Sequence, residues 1–337
     1  RFARLVDSLQ QSEKWQEAVG GCLSGALSVS PAQPGILMGY DFHLTDDGPK
    51  LIEINNNAGG LFQRGAWLPQ PEWSEWSGSL PERLLSMFPA DWKTVAIMDE
   101  QISEQPMYME MQEFARLLRE TGREVFLLEP EMLVAYDNGL SYQGVHIDAI
   151  YNRHTDFYLE QPAMQSIRTA FVSGTVALNP YPRSYALLGD KRRMADMWRP
   201  GLLESLLPEG AVTMIRSVVP PTLYMASRSA DEWWQQRREW VFKPAARHGG
   251  KGVMRGRDIS RKRFAQLDFT EMVAQQLVLP GTVVIGGESF KVDFRLYMYG
   301  ESAVALAGRV WQGSVTNFRH PDSGWAVIDI EAYGERV

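Results

Sequence analysis

Two acidic side chains and one amide near the start of the chain could hold a divalent metal ion. Asp41 lies on one predicted strand, and Glu53 and Asn55 lie on the next, where a spacing of two residues points both side chains to the same face. Carboxylate and amide oxygens suit Mg²⁺, which keeps several waters and takes its other ligands from phosphate groups. The alternative is that Asp41 and Glu53 are solvated residues on an exposed sheet face, and these residues alone do not decide between the two.

A β-hairpin is expected to bring these three residues together. Segments 36–44 and 50–55 have the pattern of strands, and the short loop between them ends in Gly48. We expect a type I turn followed by a bulge, with Gly48 in the left-handed conformation. Thr45 then faces Pro49, and the same count places the two carboxylates opposite each other with Cβ atoms roughly 5 Å apart.

Two glycine-rich stretches could bring backbone N–H groups close to an anion. The strand that ends at Asn55 runs into residues 56–60, which have little side-chain bulk. A later predicted strand carries Lys243 and leads into the loop 247–253, whose glycines could close over phosphate oxygens that Lys243 contacts as a point charge. This loop lacks the order of a Walker motif, and a plain β-hairpin is its alternative interpretation.

Charged residues interrupt two apolar strands near the end of the chain. Asp293 and Arg295 lie in the predicted strand 291–299, and Arg309 lies in its neighbour, 303–311. A charge in an apolar strand is costly unless it is paired or binds a ligand. We therefore interpret these residues either as a salt-bridged strand pair or as ligand-binding groups.

The middle of the chain alternates strands with helices, which is typical of a parallel α/β sheet. Its predicted elements are the strands 94–98, 124–128, 149–151 and 176–179 and the helices 107–122 and 166–172. Ligands of such sheets bind at the carboxyl ends of strands, so Arg153 is a candidate for holding an acidic substrate. Pairing of Arg153 with Asp156 is the alternative. No Gly-x-Gly-x-x-Gly follows the first strand, so a dinucleotide-binding fingerprint is absent.

Other stretches predict helices and turns that support this arrangement. We expect helix over 2–28 and 81–88, a hairpin within 133–144, a strand from Met272 that leads into a turn at Gly281, and a helix that begins at 187–191. The stretch 61–90 is expected to be a connector whose tryptophans pack as apolar anchors.

Composition and charge indicate a globular protein and narrow its partners. The chain has 337 residues, of which 45% are hydrophobic and 22% charged, and its length favours about two domains. A net charge of −7 argues against nucleic-acid binding, and the single cysteine, Cys22, excludes a disulfide framework and a cysteine-based zinc site. No apolar run approaches the ~18 residues of a membrane span, and the N-terminus lacks a signal-peptide pattern. We expect a cytoplasmic protein without a membrane partner.

Taken together, these motifs resemble the ATP-grasp superfamily. The matching parts are Val-Phe-Lys243-Pro with its glycine loop, Val-Ala-Gln-Gln-Leu-Val at 273–278, and Asp293-Phe-Arg295 followed by Arg309 and Asn317. Leu-Gly-Asp-Lys191 is similar to a motif that supplies an earlier phosphate-contacting lysine. The closing motif of such enzymes is matched by Asp41, Glu53, Asn55 and Gly59-Gly60, but it stands at the start of this chain. That order resembles the circularly permuted members, of which glutathionylspermidine synthetase is the best-known type.

The resemblance implies a role for each matching residue. The ATP-contacting residues would be Lys191, Lys243, His248, Gly249, Gly250, Lys251, Gly252, Gln275, Gln276, Leu277, Val278, Asp293, Arg295 and Asn317. The Mg²⁺ ligands would be Asp41, Glu53 and Asn55. Arg309, together with Lys243 and the Gly59 and Gly60 amides, would act in catalysis by stabilising negative charge on the reacting groups. Residues 275–278 would contact adenine mainly through backbone atoms.

The implied fold is α/β, a circularly permuted ATP-grasp fold with a Rossmann-like parallel-sheet domain. The expected parts are a metal-binding element with a connector at 1–90, the Rossmann-like domain at 91–184, the ATP-binding subdomain at 185–284 and the rest of the catalytic core at 285–337. In this arrangement 285–320 shares a sheet with 36–55, and the metal-binding residues lie near Arg309 and Asn317.

The implied activity is that of an ATP-dependent ligase that joins a carboxylate to an amine through an acyl phosphate, with ATP and Mg²⁺ as cofactors. The expected substrates are a small-molecule or peptide carboxylate and an amine acceptor. Residues 56–58, Asn-Asn-Ala, replace the loop that is frequent in D-alanine ligases, so the substrate of those enzymes is not carried over. Two alternatives stay open, namely a non-catalytic ATP-binding or sensing module and a phosphotransferase.

Overall fold

The structure, a computed structural model, describes residues 1–21, 23–62, 80–246, 252–313 and 323–328. Its strands are β1 (Met38–Thr45), β2 (Gly48–Asn55), β3 (Thr94–Met98), β4 (Glu124–Leu128), β5 (Val134–Tyr136), β6 (Gly139–Tyr142), β7 (Val145–His146), β8 (Ala149–Asn152), β9 (Ala177–Asn179), β10 (Thr222–Tyr224), β11 (Trp240–Pro244), β12 (Met254–Arg255), β13 (Met272–Gln276), β14 (Gly281–Ile285), β15 (Glu288–Tyr299), β16 (Ser302–Trp311) and β17 (Gly324–Ile328).

The helices are mostly short and stand between the strands. They are α1 (Phe2–Ser8), α2 (Glu13–Gly20), α3 (Leu80–Ser86), α4 (Tyr108–Glu120), α5 (Gln165–Ser173), α6 (Pro182–Ser184), α7 (Arg192–Asp196), α8 (Leu202–Leu206), α9 (Glu209–Val218), α10 (Ala230–Gln236) and α11 (Arg261–Phe264). A π-helix, Tyr185–Gly189, precedes α7. Among the helices that the structure describes, none combines the length and the apolarity that crossing a membrane requires.

A six-stranded antiparallel sheet joins the two ends of the chain. Its order is β17-β16-β15-β1-β2, and β14 pairs with β15. The expectation that the hairpin near the start shares a sheet with the strands near the end is therefore confirmed. Long cross-strand ladders between β1 and β15 and between β15 and β16 hold the three strands in register.

The hairpin places Asp41 opposite Glu53 as predicted, but its register beside the turn differs from the predicted one. Thr45 pairs with Gly48 instead of Pro49, so the predicted register is wrong by one residue beside the turn. A β-bulge between Asp41 and Phe42 then inserts one extra residue on β2 and places Asp41 opposite Glu53, as predicted. Gly48 has φ +94, which confirms the predicted positive φ at the turn.

The parallel sheet of the middle region has the order β4-β3-β8-β9 and is covered by helices on both faces. The predicted strands 94–98 and 124–128 are confirmed to the residue, and the others to within one or two residues. On one face, Met111 and Phe114 of α4 pack in a core with Val95 and other strand residues. On the other face, Phe171 of α5 belongs to a core with Ala96, which alternates with Val95 along β3. The predicted hairpin at 133–144 is also present as β5 and β6.

A third sheet, β10-β13-β11-β12, carries Lys243 on its inner strand β11. All its pairs are antiparallel, and its core contains the buried Trp233, Phe242 and Phe264. Trp233 also donates its indole N–H to the Met225 carbonyl oxygen at 2.8 Å, so the ring is fixed in orientation. The strand that carries Lys243 is therefore well packed on its core face.

The N-terminal region is less regular than expected. The predicted helix over 2–28 is broken into α1, α2 and two short 3₁₀ turns. Ser12 caps α2 by accepting a hydrogen bond from the Trp15 amide, and Gly21, with φ +55, ends it. Trp15 is buried and donates its indole N–H to the Leu187 carbonyl oxygen at 3.1 Å. Cys22 and the tryptophans of the stretch 63–79 lie outside the described residues.

Substitution of Gly60 tests how tightly the loop after the hairpin packs on β17. Gly60 has φ +98, and a Cβ there would lie 2.2 Å from the Trp325 ring, whereas Gly48, with φ +94, has no atom within 4 Å of such a Cβ. We expect Gly60→Ala to lose about 1–3 kcal/mol more unfolding free energy than Gly48→Ala, because only Gly60 adds a steric clash to the backbone strain. Urea unfolding measures both values, and equal losses would contradict the packing described here.

Candidate functional site

A cavity of about 590 Å³ lies where the three larger sheets meet, which is the size of a small-molecule site. The predicted site residues that line it are Asp41, Glu53, Asn55, Gly59, Arg153, Lys191, Lys243, Gln275, Gln276, Leu277, Val278, Asp293, Arg295 and Arg309. Among the described residues that line it, six are Lys or Arg and four are Asp or Glu. The cavity is therefore positive inside a chain of net charge −7, which favours an anionic ligand.

Some predicted site residues stand apart from this cavity. Gly252 has φ +78 and does not line it, and neither does Gly60. The other glycine-loop residues and one residue near the C-terminus lie outside the described residues, and they are His248, Gly249, Gly250, Lys251 and Asn317.

Two aspartates and two arginines form a buried ion-pair cluster in the cavity wall. Asp41 stands opposite Arg295 across β1 and β15, and Asp293 stands opposite Arg309 across β15 and β16. Arg295 Nε and Nη2 donate to Asp41 Oδ1 and Oδ2 at 2.6 and 2.7 Å. Arg309 bridges the two acids, because its Nη2 lies 2.8 Å from both Asp41 Oδ2 and Asp293 Oδ2. The interpretation as a salt-bridged strand pair therefore describes these residues, and they also face the cavity.

The charge state of this cluster follows from burial and pairing. Burial by itself raises the pKa of Asp41, but the guanidinium groups of Arg295 and Arg309 outweigh it and hold that pKa well below its ordinary value. Burial also dominates at Asp293, where it raises the pKa against the attraction of Arg309. Asp41 is thus a fixed, ionised group at neutral pH.

The predicted metal ligands converge in space. Asn55 Nδ2 lies 3.3 Å from Asp41 Oδ2 and 3.4 Å from Glu53 Oε1. Because the orientation of an amide group is assigned from its surroundings, rotation of Asn55 by half a turn would bring its oxygen beside the two carboxylates. No group of three or more His, Cys, Asp or Glu side chains suited to a metal occurs in the described part of the chain. The two carboxylates and the amide oxygen of the predicted set are hard oxygen ligands, which suit Mg²⁺, a cation that takes further ligands from water and phosphate.

Lys243 projects from β11 toward the same place. Its Nζ donates to the Ile52 carbonyl oxygen at 2.8 Å and to Gln275 Oε1 at 2.6 Å. Burial lowers the pKa of Lys243 to about 8, with Glu53 opposing and Lys191 adding to the shift. Lys243 is therefore a buried cation beside the predicted metal ligands, positioned to attract a phosphate.

The segment 275–278 differs in detail from the expected backbone contact with adenine. The amides of Gln276 and Leu277 donate to the Pro221 and Glu239 carbonyl oxygens at 2.8 and 2.7 Å. The Val278 carbonyl oxygen lies 2.9 Å from Nδ1 of His43. The amides of Gln276 and Leu277 are therefore engaged within the protein, whereas all four residues line the cavity.

His43 was not predicted from the sequence, although it lines the cavity beside Asp41. Burial lowers the pKa of His43 to about 4, so the ring is neutral at physiological pH. His43 follows Asp41 by two residues on β1, and this alternation was a signal that could have identified it.

A second polar group lies where β3 and β8 end. Arg153 donates from Nη1 to the Ala58 carbonyl oxygen at 3.2 Å and to the Tyr151 hydroxyl at 3.3 Å, and its Nη2 lies 3.6 Å from Glu110 Oε1. The expected alternative partner, Asp156, is not the one the structure shows. Asp99, the residue after β3, also lines the cavity. Asp99 was not predicted from the sequence, although the rule that singled out Arg153, a residue after a parallel strand, applies equally to it.

Gly59, after the hairpin, lies between the ion-pair cluster that contains Arg295 and the polar group around Arg153. The Gly59 carbonyl oxygen accepts hydrogen bonds from Arg295 Nη1 and the Tyr297 hydroxyl, both at 3.0 Å, and a Cβ on Gly59 would lie 2.7 Å from Arg153 Nη2. The Gly60 amide donates to Glu110 Oε2 at 2.7 Å. It is therefore engaged by a carboxylate of the protein itself, and the expectation that it contacts a reacting group does not fit this arrangement.

Comparison with solved structures finds a protein of similar fold. No protein-family model and no curated protein matches the chain. A putative gamma-glutamylcysteine synthetase from Methylobacillus flagellatus KT is similar in structure, with a TM-score of 0.58 and 13% identity over 97% of this chain and 86% of that one. A glutathione synthetase-like effector from Globodera pallida gives 0.48 and 13% over 91% and 81%, and the ATP-grasp ligase PsnB gives 0.40 and 15% over 71% and 78%. At these identities the first similarity shows a shared fold.

The stability of an Asp99 variant tests whether the hydrogen bonds and charges around this carboxylate fail to offset its loss of hydration. Burial raises the pKa of Asp99 to about 7, opposed by the Glu100 amide and the Arg153 guanidinium. Because the folded pKa lies above the unfolded one, the stability present below about pH 4 is lost as the pH rises through about 7. We expect Asp99→Asn to keep this stability as the pH rises. At pH 8 its unfolding free energy should exceed that of the unaltered protein by roughly 1 kcal/mol or more.

Urea unfolding at pH 5 and pH 8 measures this effect. Asp47→Asn, at an exposed turn position, serves as the matched control and should change unfolding free energy equally at both pH values. A loss of stability in Asp99→Asn at pH 8 would contradict the interpretation.

Proposed function

We propose that the protein is an ATP- and Mg²⁺-dependent ligase that joins a carboxylate to an amine and releases ADP and phosphate. One observation carries the proposal. Buried Lys243, the oxygen ligands around Glu53 and the Arg309 guanidinium line one cavity, although they come from three separate parts of the chain. A cationic cavity with a hard-cation ligand set matches the needs of phosphoryl transfer, which depends on positioning and charge neutralisation.

The motif resemblance and the shared fold support the same class. The predicted site residues that the structure describes line the cavity, except for Gly60 and Gly252. The Methylobacillus flagellatus protein that shares the fold is itself a putative synthetase. We further propose the permuted order of the catalytic core, with parts at 1–90, 91–184, 185–284 and 285–337, because β1 and β2 complete the sheet of β15 and β16.

The residues of the chain would act in two chemical steps. Lys191 and Lys243 hold the phosphates of ATP, while an oxygen of the substrate carboxylate attacks the γ-phosphorus and the bond to ADP breaks. The amine then attacks the acyl carbon, phosphate leaves with the bonding electron pair, and the amine loses a proton. Arg309 stabilises the negative charge in both steps.

Asp41, Glu53 and Asn55 would hold Mg²⁺, which supplies charge neutralisation on the phosphates when it is bound. Arg295 keeps Asp41 ionised and oriented, because it donates to both carboxylate oxygens. Closure of the cavity around these groups would exclude water from the acyl phosphate.

ADP release tests the activity and the role of Lys243. Purified protein with ATP, Mg²⁺ and panels of acids and amines should form ADP, and Lys243→Ala should reduce the rate at least ~10²-fold, because it removes a buried contact to the phosphates. Lys262→Ala is the matched control, since Lys262 is exposed on α11. ADP formation that is unaffected by Lys243→Ala would contradict the proposal.

The same assay separates the alternatives. Stabilisation by ATP and Mg²⁺ without turnover for any substrate pair would indicate a non-catalytic module, and a phosphorylated product without condensation, detected by mass spectrometry, would indicate a phosphotransferase.

The Mg²⁺ requirement tests the ligand set separately. We expect Glu53→Gln to raise the Mg²⁺ concentration at half-maximal rate by about 10-fold or more, because an amide is a weaker ligand for a hard cation than a carboxylate. Asp47→Asn removes an acidic side chain from the same hairpin at an exposed position and should leave this concentration unchanged. An unchanged Mg²⁺ dependence in Glu53→Gln would exclude Glu53 as a ligand.

A further inference from the structure

The end of the cavity at β3 and β8 contains polar atoms whose hydrogen-bonding capacity is not met. Arg153, which is only 6% exposed, has a buried Nε with no hydrogen-bond partner among the described residues. The buried Oδ1 of Asn57 likewise has none, although Asn57 Nδ2 donates to the Arg153 carbonyl oxygen at 2.6 Å. Asp99 is 5% exposed, and within the described chain only its Oδ1 accepts a hydrogen bond, from the Glu100 amide at 2.9 Å.

Such a set is unusual in a packed protein. Buried polar atoms are nearly always paired, because an unpaired one costs about 1–3 kcal/mol. The residues that carry these atoms, Arg153, Asn57 and Asp99, all line the cavity. A ligand that satisfies them must offer acceptors to Arg153 and donors to Asp99 and Asn57. A carboxylate and an ammonium group on neighbouring atoms provide both.

We propose that Arg153, Asp99 and Asn57 bind the head group of an α-amino acid, with the carboxylate on Arg153 and the ammonium on Asp99 and Asn57. This inference rests on the proposed ligase function and names the substrate class. Glu110 orients the Arg153 side chain from behind, because its Oε1 lies 3.6 Å from Arg153 Nη2 and it is itself buried.

The position of Gly59 indicates which group of the amino acid reacts. Gly59 contacts both ends of the site, since its Cα side faces Arg153 and its carbonyl oxygen accepts a hydrogen bond from Arg295. The α-carboxylate and the ammonium are engaged at the Arg153 end, so the reacting carboxyl must belong to the side chain and extend past Gly59. The substrate is therefore an acidic amino acid that is activated through its side-chain carboxylate, whose oxygen attacks the γ-phosphorus as ADP leaves.

A binding experiment with defined probes tests this class. The protein is saturated with Mg²⁺ and a non-hydrolysable ATP analogue and titrated calorimetrically with L-aspartate, L-glutamate and L-2-aminoadipate, which differ by one methylene each. At least one should bind. The matching diacid without the amino group and the matching ω-amino acid without the α-carboxylate should each bind about 10- to 100-fold more weakly, because each leaves buried hydrogen-bonding groups of the site without a partner. Equal binding of either analogue would overturn the inference.

Variants assign the two groups. Arg153→Gln should weaken binding of the amino acid about 10- to 100-fold. Asp99→Asn should reduce the preference for the amino acid over its diacid analogue by a similar factor. Both should bind the ATP analogue within about threefold of the unaltered protein. Arg116→Gln, on the exposed face of α4, and Asp47→Asn are matched controls that should change neither property.

The outcomes separate this inference from the proposed function. Absence of binding of the ATP analogue to the unaltered protein would remove the ligase proposal itself. Normal nucleotide binding with no response to the three acids at millimolar concentration, or with the same preference in Asp99→Asn, would remove only the amino-acid site. If Arg153→Gln does not fold, Asp99→Asn, which replaces a side chain by one of the same shape, gives the decisive measurement.

Discussion

The carboxylate of Asp41, held between two arginines, is the interaction on which the arrangement of the molecule depends. Four charged side chains are buried in the wall of the cavity, and each is stable there only because it is paired with an opposite charge directly across the sheet. Breaking such a buried pair typically costs about 3–5 kcal/mol, since it leaves an isolated charge away from water. The cluster therefore fixes the order of β1, β15 and β16. It connects a strand near the start of the chain with two strands near its end.

That constraint also bears on how the hairpin keeps Asp41 opposite Glu53 although the register beside its turn differs from the predicted one. The register beside Gly48 differs by one residue from the predicted register. The bulge between Asp41 and Phe42 restores the predicted pairing of Asp41 with Glu53. A bulge increases local twist and re-aims side chains. Asp41 can then face Arg295 on one side and Glu53 on the other. Turn chemistry predicted the hairpin, but the bulge depends on a neighbouring strand that is distant in sequence.

The sequence predicted structure well where the determinants are short in range. The strands Thr94–Met98 and Glu124–Leu128 match to the residue, and the predicted metal ligands of the hairpin converge as cross-strand geometry requires. The apolar pattern over 2–28 led to the wrong prediction of a single helix, because the pattern continues past Ser12, the residue that caps a new helix. Contacts between distant elements were not predictable in this way. Lys243 was identified from its motif, yet its partners depend on how two sheets meet. Glu110 gave no signal, because a single buried acid on a helix has the same sequence pattern as a solvated one.

Glu110 shows how the two ends of the cavity are kept at a set distance. Its Oε2 accepts hydrogen bonds from the amides of Gly60 and Phe62, at 2.7 and 3.3 Å, and its Oε1 faces Arg153. One buried carboxylate on α4 thereby connects the loop after the hairpin to the carboxyl end of β8 in the parallel sheet. Gly59, in that loop, is in turn hydrogen-bonded to Arg295 of the ion-pair cluster. The separation between Arg153 and Arg295 is therefore set by packed, hydrogen-bonded groups, so the amino-acid substrate proposed above would be selected by its length as well as by its charge.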